Sequence, residues 1–373
     1  MKNKLFGLIL CLALMASSIL AGCGASGVTS QSPAQQPTQP TSQPNKPTRT
    51  VTLQDGSQVT VPQKAERIAA LYGPAYEKLV VLGAEDKIVC ESDFQKTNWP
   101  WSNVIFKDVN KLPAIANASV SLNVEDLVPY NIDLAFNWAN PKTTDAMKNI
   151  GLSVVPATGT NAAGSIKEDL KDYAQVLGGD APAKAEQYAQ YFDEKLKMIT
   201  NVTSAIPENE KATVHFAMAK ILATSGNKTS IPALVELAGG KCVESDLNGG
   251  TNTVITKEQL ISWNPDYIFL DHATTTAAAP NAQSQVKELL AQADYSKLAA
   301  VKNNHVYIVP TGVFYWDSGL QRILMVMWMA KTMYPDKFSN LNIITELQSF
   351  YSRFFNYSLT AEQAQKILDH VDP

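Results

Sequence analysis

One helical pattern runs without interruption from Pro182 to about Ala205, in the middle of the chain. Ala185, Tyr188, Ala189, Phe192, Leu196, Ile199 and Thr203 recur at spacings of three, four and one, which puts them on one helix face. Pro182 suits a first helical turn, where its missing N–H costs nothing. A helix of this extent spans about 36 Å at 1.5 Å per residue. That is too long to cross one small lobe, so the pattern reads as a spine joining two bodies.

The sequence on either side of it has one grammar. Before the spine, short apolar runs at Arg67–Tyr72, Lys87–Cys90, Ile132–Phe136 and Leu152–Pro156 read as strands. Helical patterns follow at Tyr76–Leu82, Val124–Val128, Thr143–Ile150 and Ile166–Leu177. After the spine, Thr213–Ala217, Tyr267–Leu270 and His305–Val309 read as strands. Ile231–Ala238, Lys257–Ser262, Gln283–Leu290 and Leu320–Met333 read as helices, and 360–370 as a terminal helix with Thr360 and Gln363 in a capping box. Alternating strands and helices make mainly parallel sheets covered on both faces. The expected fold class is α/β, with two lobes joined by one long spine helix. An Asp55-Gly56 hairpin, with Val51–Leu53 facing Val59–Val61, opens the ordered part.

The N-terminus has a different character. Lys2 and Lys4 precede an apolar run from Leu5 to Leu20, which is the layout of a secretory signal. Leu20-Ala21-Gly22-Cys23 resembles the bacterial lipobox, whose Cys is lipidated and becomes the mature N-terminus. Residues 24–49 are Ser, Gln, Pro, Thr, Gly and Ala with almost no large apolar side chains, and such a segment cannot offset its ordering entropy. As a coil it spans roughly 28 Å. The expected division is a signal peptide at 1–22, a lipidated tether at 23–49, an N-terminal lobe at 50–178, the spine at 179–206 and a C-terminal lobe at 207–373. This places the protein outside the cytoplasmic membrane, anchored to it.

Without residues 1–22 the chain keeps 35 acidic and 29 basic residues and has no basic run, which argues against nucleic acid as a partner. Of the four Cys, Cys11 leaves with the signal and Cys23 takes the lipid. Cys90 and Cys242 are read as free thiols in different lobes, with a disulfide as the alternative. The sequence lacks a Gly-x-Ser-x-Gly elbow, a His-Glu-x-x-His helix, a phosphate loop and a Gly-x-Gly-x-x-Gly fingerprint, so an enzyme is not expected.

Six segments, in order, resemble a known family. They are Asp55-Gly56 with Val59–Pro62 and Glu66–Ile68; Leu82–Ile88; Asn123–Leu127 before Ile132–Leu134; Leu237–Gly240; Thr256–Leu260 before Asn264–Asp266; and Tyr334–Phe338. Over Val51–Leu368 the chain resembles the solute-binding lipoproteins of ABC importers that carry metal chelates: ferric siderophores, haem and cobalamin. The resemblance implies a class III periplasmic-binding-protein-like fold, a monomeric body, and a permease dimer with a cytoplasmic ATPase as partner. It assigns Glu125 and Glu258, one per lobe, to docking against permease arginines. It implies no resident cofactor, only a transported ligand that contains a metal. Molybdate or tungstate and nickel chelates are alternative ligands within the same fold. A haem- or metal-handling surface protein not coupled to transport is the alternative role.

In open parallel sheets, ligands sit beyond the carboxyl ends of the strands. The candidate ligand-binding residues are therefore those that follow strands. They are Tyr72, Trp99, Trp101 and Trp138 in the first half, and Lys220, His272, Tyr315 and Trp316 in the second, with Arg322 at the next helix start. The aromatics suit a flat partner with a polar edge. Arg322 has the planar fork for an oxyanion, carboxylate or phosphate. His272, beside Asp271, is the one candidate for contact with a metal in the ligand.

Overall fold

The computed structural model describes residues 46–118, 121–138, 140–157, 165–271 and 282–373. Residues 1–45, with the signal, Cys23 and most of the tether, lie outside the described residues, as does His272. An antiparallel hairpin, β1 (Thr48–Thr52) and β2 (Gln58–Pro62), comes first. The first sheet holds β3 (Ile68–Ala70), β4 (Ile88–Ser92), β5 (Ala114–Ile115), β6 (Leu134–Trp138) and β7 (Ser153–Ala157). Its order is β5-β4-β3-β6-β7, and every pairing is parallel.

The second sheet contains β8 (Thr213–Met218), β9 (Lys220–Thr224), β10 (Lys241–Cys242), β11 (Thr253–Val254), β12 (Tyr267–Asp271) and β13 (Val306–Ile308). Its main order is β11-β9-β8-β12-β13, with β10 beside β8. Strands β8, β10, β12 and β13 pair in parallel, while β9 and β11 are antiparallel. Between the two sheets in sequence runs the spine helix, Ala181–Thr203, with Tyr188, Ala189, Phe192 and Ile199 buried along one face. The expected fold class is thus the observed one. Cys90 and Cys242 are buried free thiols on strands of different sheets.

One local device occurs in both halves. Asn123 caps a 3₁₀ helix, Val124–Tyr130, which ends at Asn131 in the left-handed region (φ 47°). Asp133 follows, and its carboxylate accepts the backbone N–H groups of Glu66 and Arg67 at 3.0 and 3.1 Å. In the second half, Thr256 caps the helix Lys257–Trp263, which ends at left-handed Asn264 (φ 43°). The Asp266 carboxylate then accepts the Thr213 N–H at 2.8 Å. In both places the Asp ties the start of one strand to the start of its neighbour, and this fixes the register of β3 with β6 and of β8 with β12. Asn tolerates the left-handed conformation better than other residues with a β-carbon.

The chain after Leu341 leaves the second sheet. The helix Ile343–Phe355 and the terminal helix Ala361–Leu368 pack back across the spine and the first lobe. Phe354 meets Tyr188 of the spine at 5.5 Å between ring centres, and Phe355 meets Phe106 at 5.2 Å. One apolar cluster runs from Ile68 and Phe136 through Tyr188 and Phe192 to Phe216, Phe269 and Phe350. The two sheets therefore share a continuous core.

Candidate functional site

A cleft of about 140 Å³ lies between the lobes. From the first lobe it takes Tyr72, Lys78, Trp138, Ile166 and Asp169. The second lobe supplies hydroxyls from Ser225, Thr229, Ser230, Thr251 and Ser318, together with Asp317 and Arg322.

Helix starts position much of this lining. Tyr72 is the N-cap of Gly73–Val81, and Ile166 lies in the first turn of Ser165–Leu177. Ser230 stands at the N-cap position of Ile231–Leu237 without a side-chain capping bond, and Arg322 opens Arg322–Met333. Four helix N-termini, two per lobe, thus meet at one cavity, and their partial positive charges favour an anion there.

The cations are held by local partners. Lys78, only 1 % exposed, is ion-paired with Asp169 and lies over the rings of Tyr72 and Tyr173 at 5.8 and 5.0 Å. Arg322 is 3 % exposed, and its Nε donates to the Asp317 carbonyl at 2.6 Å. Burial pulls the Arg322 pKa below the usual guanidinium value, and the Asp317 charge opposes that shift. Burial raises the Tyr72 pKa, reinforced by Asp169, so its phenol stays protonated. The Ser225 hydroxyl is buried and makes no hydrogen bond among the described residues. An unpartnered buried hydroxyl is costly in a folded protein unless something else meets it.

Behind the cleft, Glu77 reaches from the first lobe to the second. Its Oε1 accepts the Leu320 N–H at 2.8 Å, just before the Arg322 helix. Burial raises the Glu77 pKa to about 7, although the Leu320 N–H and Lys78 work against that rise. The Leu320 carbonyl accepts the Tyr188 hydroxyl of the spine at 2.7 Å.

The residues expected from sequence separate into three groups. Tyr72, Trp138 and Arg322 line the cleft; Tyr72 and Trp138 lie 4.9 Å apart, and Trp138 is 43 % exposed. Trp99, Trp101 and Trp316 do not line it; they are buried in the contact between the lobes. Trp99 packs on Phe314 at 4.5 Å and on half-buried Tyr315 at 5.2 Å, so Tyr315 faces this contact as well. Trp101 lies on a short helix, Pro100–Ile105, rather than in a loop, and its Nε1 donates to the Val371 carbonyl. Trp316 donates to Gln321. The nearby Gly73 is required by this closeness, since a β-carbon there would stand 2.5 Å from Phe314.

Lys220 also lies elsewhere. Met218 to Lys220 is a tight β8–β9 turn through left-handed Ala219, and Lys220 borders a separate surface cavity with Lys257 and Gln285. Sequence reading missed Lys78, Asp169 and the hydroxyl-bearing loops. Glu125 and Glu258 are both exposed in the first turns of the two repeated helices, one on each half.

Two α/β lobes on a helical spine, with a polar cleft between them, define a class of proteins that captures small solutes. The family model for periplasmic binding protein matches residues 68–312, and the chain belongs to that family of solute-binding proteins. It is 26% identical over 332 residues to the ABC transporter substrate-binding lipoprotein YvrC of Bacillus subtilis, covering 87% of this chain and 96% of that protein. A periplasmic solute-binding protein from Veillonella parvula superposes with a TM-score of 0.71 at 24% identity, over 86% of this chain and 97% of that one. The molybdate-bound form of the molybdate-binding protein MolA of Haemophilus influenzae superposes with a TM-score of 0.72 at 17% identity, over 84% and 99%.

Proposed function

We propose that this protein is an extracytoplasmic, lipid-anchored receptor that captures a compact anionic solute and delivers it to an ABC import permease. The solute is an oxyanion of the molybdate type or a small anionic metal chelate. One observation carries this reading: four helix N-termini, Lys78, Arg322 and the unpartnered Ser225 hydroxyl converge on about 140 Å³. Pockets for drug-sized ligands begin near roughly 300 Å³. A tetrahedral oxyanion or compact chelate matches both the volume and the donor-rich wall, and it supplies the partner that Ser225 lacks. MolA, of like fold, has molybdate bound.

A larger planar chelate, such as an iron-siderophore, haem or a corrinoid, is the second reading. The tilted Tyr72–Trp138 pair at the cleft favours it, because these rings offer a face for a flat ligand. The proposal assigns binding and delivery to the protein, not catalysis.

A thermal-shift series on the purified protein with molybdate, tungstate, nickel–histidine, a ferric siderophore, haem and cobalamin tests both readings. The true ligand at a hundred times its Kd adds about 2.7 kcal/mol of stability. Arg322→Ala should weaken an anion at least tenfold while the protein stays folded. A shift with cobalamin or haem alone would overturn the compact-anion reading in favour of the second. For delivery, we assign docking to Glu125 and Glu258. Reversing both to Lys should abolish uptake in cells and leave solute affinity unchanged; a matching loss of affinity would place them in ligand binding instead.

A further inference from the structure

We propose that a second cavity, sharing no lining residue with the cleft, binds a phosphate-bearing anion. It encloses about 510 Å³ where the spine helix begins. Arg49, Lys64, Lys87 and Lys184 line it, against one carboxylate, Asp180. The chain as a whole carries a net charge of −4, so this concentration of cations runs against the average surface.

The cations are arranged rather than merely adjacent. Arg49 donates from one guanidinium nitrogen to the carbonyls of Gln175 and Val176 at 3.0 and 2.7 Å, which fixes the group at the end of the helix Ser165–Leu177. A guanidinium has five donors, so others are left for a ligand. Gly83 adopts φ +74°, and a β-carbon there would overlap the Lys184 ammonium. The Lys184 ammonium thus lies directly against the Gly83 backbone. Lys64 pairs with Glu66 at the surface, while Lys87 and Lys184 have no ion pair among the described residues.

The N-terminus of a 23-residue helix faces the same cavity, beside the C-terminal ends of Ser165–Leu177 and Gly73–Val81, and the side chain of its cap residue, Asp180, makes no capping hydrogen bond. Several separately held cations suit a phosphoryl group, which offers three oxygens and up to two charges. A carboxylate would be satisfied by one fork. Arg49 lies in β1, the first strand of the described body, so the cavity sits where that body begins. A phospholipid headgroup and free phosphate share the required chemistry. The lipid source rests on the anchored reading of Cys23, whereas the anion site does not.

The test uses the chain from residue 23 onward with Cys23→Ser, which removes both the apolar signal and the acyl anchor, beside the same chain with Lys87→Ser and Lys184→Ser. One arm measures sedimentation with phosphatidylglycerol or phosphatidylcholine vesicles, and the other titrates inorganic phosphate. A tenfold loss of phosphatidylglycerol association in the double variant, with phosphatidylcholine unchanged, supports a headgroup. A tenfold loss confined to inorganic phosphate supports a soluble phosphate ligand. Equal behaviour of parent and variant in both arms overturns the proposal. A Lys87→Arg, Lys184→Arg variant keeps the charge and must retain binding, which separates charge from folding. The thermal midpoint without added ligand must be the same in all three chains.

Discussion

Glu77 illustrates how one residue links the lobes to the surrounding pH. Its pKa rises from 4.5 to about 7 on burial, and that of Glu91, whose carboxylate is also buried, rises to about 8. A carboxyl whose folded pKa is raised binds its proton more tightly when folded. Its stabilising contribution is therefore complete below pH 4.5 and is lost as pH rises through the folded value. Unfolding by urea should show falling stability from pH 4.5 toward 8. Glu77→Gln should flatten that fall up to about pH 7, and Glu91→Gln should flatten it up to about pH 8. An unchanged slope in either variant would show that the carboxyl is ionised in the folded protein. The same scale shows what sequence can reveal. Tyr72, Trp138 and Arg322 were legible because they follow strands or open a helix. Lys78 was not, since a Lys within a helical pattern reads as a solvated face, and its partner Asp169 lies 91 residues away. Trp99 is buried because Phe314 and Tyr315 of the opposite lobe pack on it, and Trp316, in that same segment, is buried and bonded to Gln321. No local pattern records that cover.

At the scale of elements, the repeated Asn–Asp device makes a sharper claim than strand pairing alone. Asn131 ends its helix at φ 47°, where a β-branched residue is strained. Asn131→Val should therefore destabilise the protein by about 1–2 kcal/mol, whereas Asn131→Gly should be close to neutral, as read from denaturant midpoints. Equal losses would mean that the side chain, not the backbone, is what matters. The spine was legible because 3.6-residue periodicity needs no tertiary information. The thirteen-residue helix Ile343–Phe355 is just as periodic, with Ile343, Leu347, Phe350, Tyr351 and Phe354 buried on one face, but sequence reading did not identify it. Strand β9 was missed for another reason. Its partner is its own neighbour, β8, through a turn at Ala219, and the run of Ile221, Leu222 and Ala223 looks like a continuation of a loop until the pairing is known.

The whole molecule behaves as two lobes with one core. The Glu77–Leu320, Tyr188–Leu320 and Trp101–Val371 hydrogen bonds cross between segments more than a hundred residues apart. Bending the lobes apart would break these bonds and expose the shared apolar cluster. Small-angle scattering should accordingly show no measurable compaction when the cleft ligand saturates the protein. A large ligand-induced decrease in radius of gyration would demonstrate a hinge that this packing excludes.

The Asn–Asp device has a further consequence. It gives each half a short helix between a capped start and a left-handed Asn, 3₁₀ in one and α in the other, and each helix presents one exposed glutamate. A membrane partner built from two like subunits, reading only those two carboxylates, would accept the body in either of two poses related by a half-turn. Productive capture would then not depend on which lobe arrives over which subunit, and twice as many diffusive encounters would lead to docking.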